Sequence, residues 1–331
     1  MDIELINFVK KSYNLDIHSV EKLNRGSANI YLLNKNEYIL KEFQEKYSKD
    51  DIEKEITIIN HLSNFKIKVP EYIKTKKDTY YDIYKEKVII IQRYIEGYTL
   101  DNNKGNYEQT IECAEYYGKL VNALKTLPIK LPDANLSGWY NKDTFDISIK
   151  KHKDLLPMLG NNEIDEKIRK DILEKIEILE DIKTYNFDEM KYLTVSNTLG
   201  DYSVQQFIYK DGKINAIIDF VSASKMPICW EIIRSYSYID IDAKDGYFNL
   251  DTFIQYVKTV NKYIKLNKYD LKYMAYLYLI QILNSTYGYK EYISDHSKTN
   301  MLDFGCFRTN ICRYLYKNAE IIKDRLISEI N

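Results

Sequence analysis

The sequence predicts an α+β chain of two lobes, a small N-terminal antiparallel sheet with one helix across it and a larger, mainly helical C-terminal part. Three observations predict it. At 331 residues and 45% hydrophobic content, the chain exceeds an ordinary single-core domain and can fill a sizeable interior. Its first hundred residues carry short β-branched and aromatic runs separated by turn residues. From residue 106 onward, apolar residues recur mostly at helical spacing.

Taken in order, residues 3–13 read as an opening helix, and residues 19–23, 29–33 and 37–43 as strands of one antiparallel sheet. Ser48 to Asp51 fits a capping box, and Ile52, Ile56, Ile59 and Leu62 behind it have helical spacing. Val69-Pro70 opens an extended stretch. Residues 82–84 and 87–94 form a second hairpin ending at Ile95-Glu96-Gly97, where the glycine is a natural hinge. The expected division is therefore 1–97, a small sheet-bearing lobe, and 98–331, a larger lobe. In the second lobe Ile111, Ala114, Tyr117, Val121 and Leu124 share a helix face, and Pro128 closes that segment. Residues 140–192 are rich in Lys, Glu and Asp, with helix over 162–183, and read as a charged, solvated helical subdomain. Residues 250–266, 270–289 and 302–328 supply three further helices, the second with Leu271, Met274, Tyr278, Ile282 and Ser285 along one side.

Composition narrows the function. A net charge of −1 with acids and bases interspersed gives no basic field, so no nucleic-acid partner is expected. No apolar run approaches the ~20 residues that span a bilayer, and the acidic start Met1-Asp2-Ile3-Glu4 is no signal peptide, so a cytoplasmic protein without membrane contact is expected. No obligate protein partner is evident. Cys113, Cys229, Cys306 and Cys312 lack CxxC spacing, and His18, His61, His152 and His296 form no cluster with them; buried thiols are expected rather than zinc.

The chemistry concentrates in Leu199-Gly200-Asp201-Tyr202-Ser203-Val204-Gln205-Gln206, followed after Lys210-Asp211-Gly212 by Ile214 to Phe220. Apolar runs at 206–209 and 214–218 around an Asp-Gly turn are a strong hairpin signal. Asp201 precedes the first strand and Asp219 ends the second, so antiparallel pairing is expected to bring both carboxylates out at one end of the ribbon. Two acids there suit a metal-bound nucleotide, one holding Mg2+ and the other orienting a substrate hydroxyl.

This segment resembles the aminoglycoside phosphotransferase-like kinases, a branch of the protein-kinase-like fold that includes choline, homoserine and methylthioribose kinases. Their HGDxxxxN, hairpin, Ile-Asp-Trp/Phe and Pro-acid pattern corresponds here to L-G-D-Y-S-V-Q-Q, I-I-D-F and Pro227-Ile-Cys-Trp-Glu231. The resemblance implies Asp201 as catalytic base, Asp219 as principal metal ligand and Gln206 at the metal-binding Asn position. It also implies ATP or GTP with Mg2+, with 1–97 as the nucleotide-binding lobe and 98–331 as the catalytic and substrate-binding lobe. Leu199 replaces the family's His, and Gln206 is one methylene longer than Asn.

On the nucleotide side, strand alternation puts Lys41 on the face of Ile39 and Phe43, while Glu55 lies along the apolar stripe of its helix. Each needs a partner, and pairing them resolves both. The resemblance gives this pair the α- and β-phosphates. Residues 25–29 resemble the family's phosphate-facing loop, so Gly26, Ser27 and Asn29 are candidate phosphate contacts, though a plain β-turn explains Gly26 equally well. Gln92, Tyr94 and Ile95 correspond to the adenine-binding hinge.

The function expected is transfer of the γ-phosphoryl group to a hydroxyl of an amino sugar, amino alcohol or related metabolite. Asp219-Phe220-Val221 lacks the glycine of the protein-kinase DFG motif and no HRD loop is present, which sets protein kinases aside. The alternative is a catalytically weak or inactive nucleotide-binding pseudokinase scaffold like the family's spore-coat relatives, on the strength of Leu199 and Gln206. Glu231, Arg234, Trp230 and Tyr236 are candidate substrate residues, and an acid set of Asp240, Asp242, Glu291 and Asp295 would suit a polycation.

Overall fold

The computed structural model describes residues 3–23 and 28–330, which divide into two compact units. Gly26 and Ser27 lie outside the described residues. The first unit comprises Met1–Leu100, Ala123–Leu131 and Gln205–Ala223, and the second Asp101–Asn122, Pro132–Val204 and Ser224–Asn331.

In the first unit, helix α1 (Ile3–Tyr13) precedes strands β1 (Val20–Leu23), β2 (Asn29–Leu33) and β3 (Tyr38–Glu42), then helix α2 (Lys49–Ser63) and strands β4 (Tyr81–Tyr84) and β5 (Lys87–Arg93). The five strands form one antiparallel sheet in the order β1-β2-β3-β5-β4. One face is filled by α1: Leu5, Ile6, Val9 and Tyr13 pack with Tyr31, Leu33, Leu40, Ile89 and Ile91. Alternation turns Lys41 to the other face, opposite Ile30 on β2 and Ile90 on β5 in the register. The capping box forms as expected, with Ser48 Oγ accepting from Asp51 N–H and the Asp51 carboxylate accepting from Ser48 N–H, which fixes where α2 begins.

The hairpin of β7 (Phe207–Lys210) and β8 (Lys213–Ile217) also belongs to this unit. Its turn residues Asp211 and Gly212 sit at φ +52° and +78°, the two positive values that a tight hairpin turn demands. Tyr98 and Tyr209 exchange backbone hydrogen bonds at 2.9 and 2.7 Å, tying the stretch after β5 to the hairpin. Gly97, at φ +144°, permits that approach; a Cβ there would stand 2.3 Å from Tyr209 O.

The second unit contains helix α3 (Tyr107–Leu124) as far as Asn122, with α4 (Lys142–Lys153), α5 (Glu163–Ile182), α6 (Ile228–Ile239), α7 (Leu250–Asn261), α8 (Lys268–Leu283), α9 (Tyr289–Ser294) and α10 (Thr299–Ile330). Strands β6 (Val195–Thr198) and β9 (Ser224–Pro227) pair antiparallel. Helix α8 packs against both α6 and α10. It is buried on nearly every side rather than along the single stripe expected, because it is the central helix of this unit. It also ends earlier than expected, at Leu283, and after a break at Gly288 (φ +102°) the chain resumes as α9. The charge run of α5 is solvated on one side only. Asp165, Asp171 and Lys175 on it are buried with Ile168, Ile172 and Leu179, and the Asp171 carboxylate pairs with Arg313 of α10 and takes the Tyr289 hydroxyl hydrogen.

Candidate active site

Asp219 follows β8 at φ +68°, a left-handed conformation that Asp tolerates better than most side chains and that recurs at functional sites. The next residue, Phe220, is fully buried, and its N–H donates to Glu55 Oε1 at 3.0 Å. Glu55 therefore fixes the backbone just past Asp219. Sequence reasoning paired Glu55 with Lys41. The structure brings the two into electrostatic reach, but the hydrogen bond that Glu55 accepts comes from Phe220. Burial pushes the Glu55 carboxyl above its ordinary range, with Lys41 opposing and Asp219 reinforcing the shift. Its Oε2 is buried beside the Tyr72 hydroxyl.

Lys41 and Asp219 both line a cavity of about 50 Å3 whose remaining wall is Ala28, Ile30, Phe43, Tyr47 and Val221. A cation and a carboxylate at one small hollow, with the buried Glu55 carboxyl in electrostatic reach of both, fit a phosphate and its divalent ion; the space suits one phosphoryl group rather than a whole nucleotide. Among the described residues no three His, Cys, Asp or Glu side chains converge.

The remaining nucleotide-side candidates are placed as follows. Asn29 donates its side-chain amide to Glu42 at 2.7 Å. Gln92 is buried on β5 with an unpartnered Oε1, Tyr94 N–H is engaged by Glu37 O at 2.9 Å, and Ile95 is half-buried. Gln206 ends a short 3-10 turn, and its carbonyl accepts from Ile218 N–H at 2.9 Å, which closes the hairpin base one residue before Asp219.

In the second unit Asp201 stands in the loop after β6. Leu199 is fully buried, so apolar packing holds the chain where the family carries His. Gly200 is at φ +76°, with its N–H donating to Thr198 Oγ1. Tyr202 is fully buried; its hydroxyl donates to Cys113 O at 2.6 Å and its ring meets the ring of Tyr117 edge-on at 4.9 Å. One face of α6 then grips the loop. Glu231 Oε1 accepts from Tyr202 N–H at 2.9 Å, and Arg234 donates to Tyr202 O at 3.3 Å and to Asp201 Oδ1 at 2.5 Å.

Glu231 is entirely buried, and burial pushes its carboxyl up to about 7 against the opposing Tyr202 N–H and Arg234. For Arg234, burial works against the charge, and Asp201, Tyr238, Tyr278 and Glu231 together more than offset it, so the guanidinium is held above its ordinary value. The four candidate substrate residues all make contacts within the second unit. Glu231 and Arg234 hold the loop. Trp230 is buried against Trp139, and Tyr236 is a core residue whose hydroxyl donates to Asn249 O. The acids of the proposed set have local contacts as well. Asp240 and Asp295 accept from nearby backbone N–H groups, Glu291 caps α9 at Gly288 N, and Asp242 takes the Asn249 amide. Sequence reasoning missed Arg234 as the partner of Asp201. The available signal was its i, i+3 spacing from Glu231, which puts both on one helix face.

A small antiparallel sheet with a buried lysine and an acid-bearing helix, joined to a mainly helical remainder, is the kinase-like fold that the sequence predicts. The sequence profile of the phosphotransferase enzyme family matches residues 19–252, well over half of the chain. The chain belongs to that family. It is a nucleotide-binding phosphotransferase that acts on hydroxyl acceptors. No curated protein matches it closely enough to be counted a relative. Among solved structures it is similar to spectinomycin phosphotransferase in complex with ADP and spectinomycin, with TM-score 0.67 and 14% identity over 96% of this chain and 98% of that one. It is also similar to the microcompartment-associated aminopropanol kinase, with TM-score 0.63 and 12% identity over 98% and 100%. A third is the GDP and kanamycin complex of APH(2")-IIia, with TM-score 0.60 and 15% identity over 99% and 100%. At such identities the likeness is one of fold. Among the described residues no helix is long and apolar enough to cross a membrane.

Proposed function

We propose that this protein is a small-molecule kinase using ATP or GTP with Mg2+, and that its acceptor is a hydroxyl of an amino sugar, amino alcohol or related metabolite. The observation that carries the reading is the meeting of Lys41 and left-handed Asp219 on one phosphoryl-sized cavity, with Glu55 bonded to the residue after Asp219. Lys41 would draw the phosphates, and Asp219 with the Gln206 side-chain carbonyl would hold the metal. The chemistry supplied by a metal held there would be neutralisation of the phosphate charge. Asp201 then takes the proton of the acceptor hydroxyl as that oxygen bonds to the γ-phosphorus. The bond from phosphorus to the β–γ bridging oxygen breaks, and its electron pair leaves with the nucleoside diphosphate. The acceptor class is supported by the amino-bearing ligands in the names of similar structures, spectinomycin, kanamycin and aminopropanol. A cytoplasmic setting, where both nucleotides and Mg2+ abound, goes with this reading.

The test is Asp201→Asn, assayed for nucleotide consumption against a panel of hydroxylated amines and for nucleotide affinity by calorimetry. Affinity is expected to hold within about threefold while turnover falls by at least about a hundredfold. Equal turnover in variant and wild type refutes the assignment. Nucleotide binding without Mg2+-dependent consumption in the wild type, with any acceptor or with water, points instead to the scaffold reading raised by Leu199 and Gln206.

A further inference from the structure

We propose that Arg234 is a positioning residue for Asp201, and that its charge serves the reacting carboxylate rather than recognition of an anionic substrate. This rests on the reading of Asp201 as the base. Glu231 and Arg234 lie one turn apart on α6, and both face the Asp201-Tyr202 peptide. Between them they make three hydrogen bonds to these two residues: Glu231 accepts from Tyr202 N–H, while Arg234 donates to Tyr202 O and to the Asp201 carboxylate. The guanidinium is itself immobilised. Trp230, four residues before, lies 5.5 Å from it and Tyr238, four residues after, 5.0 Å, so two rings of the same helix face hold its plane. Trp230 is in turn held edge-on by Trp139 at 5.6 Å. The Arg234 side chain is only 18% exposed, whereas that of Asp201 is 42% exposed, so the base faces outward while its holder is shut in.

A charge so placed does two things. It selects one orientation of the Asp201 carboxylate, which sets where the acceptor hydroxyl must stand for its proton to transfer. It also leaves little attraction for a free anion, because a carboxylate at 2.5 Å already meets it. Lysine at this position supplies the charge without the planar fork, so it cannot hold the carboxylate and the Tyr202 carbonyl in the same geometry or stack equally on both rings.

The experiment measures phosphate release from saturating MgATP and MgGTP with water as acceptor, so that no acceptor need be known. It compares wild type, Arg234→Gln, Arg234→Lys, Asp201→Asn and the Asp201→Asn/Arg234→Gln double variant, each with its thermal midpoint. Arg234→Gln is expected to lower kcat at least tenfold with the nucleotide KM within twofold, and Arg234→Lys to recover part of that loss. The double variant is expected to be no slower than Asp201→Asn alone, since the arginine acts through the aspartate. Wild-type kcat in Arg234→Gln, with Asp201→Asn inactive, overturns the positioning role and leaves the base assignment standing. Wild-type kcat in Asp201→Asn overturns the base assignment itself. A fall in kcat that is additive with Asp201→Asn, unrelieved by lysine and accompanied by a lower thermal midpoint, makes Arg234 a structural residue and also overturns the proposal.

Discussion

Replacing Glu231 by Gln should make the second unit more stable above neutral pH than the wild type, although it removes the acid that grips the Asp201 loop. The ordinary value for a glutamate is 4.5, and burial carries Glu231 to about 7. Between those two pH values the native protein keeps the proton and the unfolded chain releases it. Stability therefore falls as pH rises through this window, and the cost is complete above about pH 7. A displacement of roughly 2.5 pH units, at about 1.4 kcal/mol each, amounts to about 3 kcal/mol. Glutamine has no such cost and keeps an Oε1 that can accept from Tyr202 N–H. Urea unfolding can be followed by tryptophan fluorescence, because the chain has two Trp residues, and both Trp139 and Trp230 belong to the unit that holds Glu231. The stability difference between variant and wild type should move by about 3 kcal/mol in favour of Glu231→Gln from pH 4.5 to pH 8. A difference that does not change with pH refutes the reasoning.

Other outcomes follow from the same geometry. Lys41→Met, which keeps the buried stem and removes the ammonium, should weaken MgATP binding at least about tenfold in calorimetry with the fold retained, and unchanged affinity would count against Lys41 as the phosphate contact. Gly97→Ala puts a Cβ 2.3 Å from Tyr209 O at a φ of +144°, so it should lower stability by about 2 kcal/mol or more and reduce the thermal midpoint; an unaltered melt would exclude that close approach. His152 donates Nε2–H to Leu283 O and is pushed down from 6.5 to about 4 by burial, with Lys175 adding to the shift. Its unfolded form takes up a proton first as pH falls, so stability is lost between pH 6.5 and 4, and His152→Gln should flatten that loss by roughly 2–3 kcal/mol in denaturant titrations at pH 7 and 4.5.

What could be read along the chain was whatever a few neighbouring residues decide among themselves. Ser48 and Asp51 announce the start of α2 because each bonds the other's backbone, and Asp211-Gly212 announces its hairpin because both residues accept positive φ. The strand holding Lys41 and the helix holding Glu55 were legible from periods of two and 3.6 residues. The pairing of β6 with β9 was not, since Thr198 meets Ser224 across an intervening hairpin that belongs to the other unit. Nor was the fate of Asp240, Glu291 and Asp295, because an acid in a loop has the same sequence signature whether it caps a turn or faces a ligand.

Local pattern and family motif together determined the kinase-like class, the sheet-then-helices order and the identity of Lys41, Glu55, Asp201 and Asp219 as the residues to watch. Only the folded chain decided what each of them touches. Glu55 takes the N–H beyond Asp219, and Arg234, written in the sequence as one more helical cation beside aromatic residues, meets Asp201. The physical reason is that propensity and periodicity act over a few residues, whereas a buried charge must find its partner in three dimensions, and the 32 residues separating Asp201 from Arg234 carry no mark of that meeting.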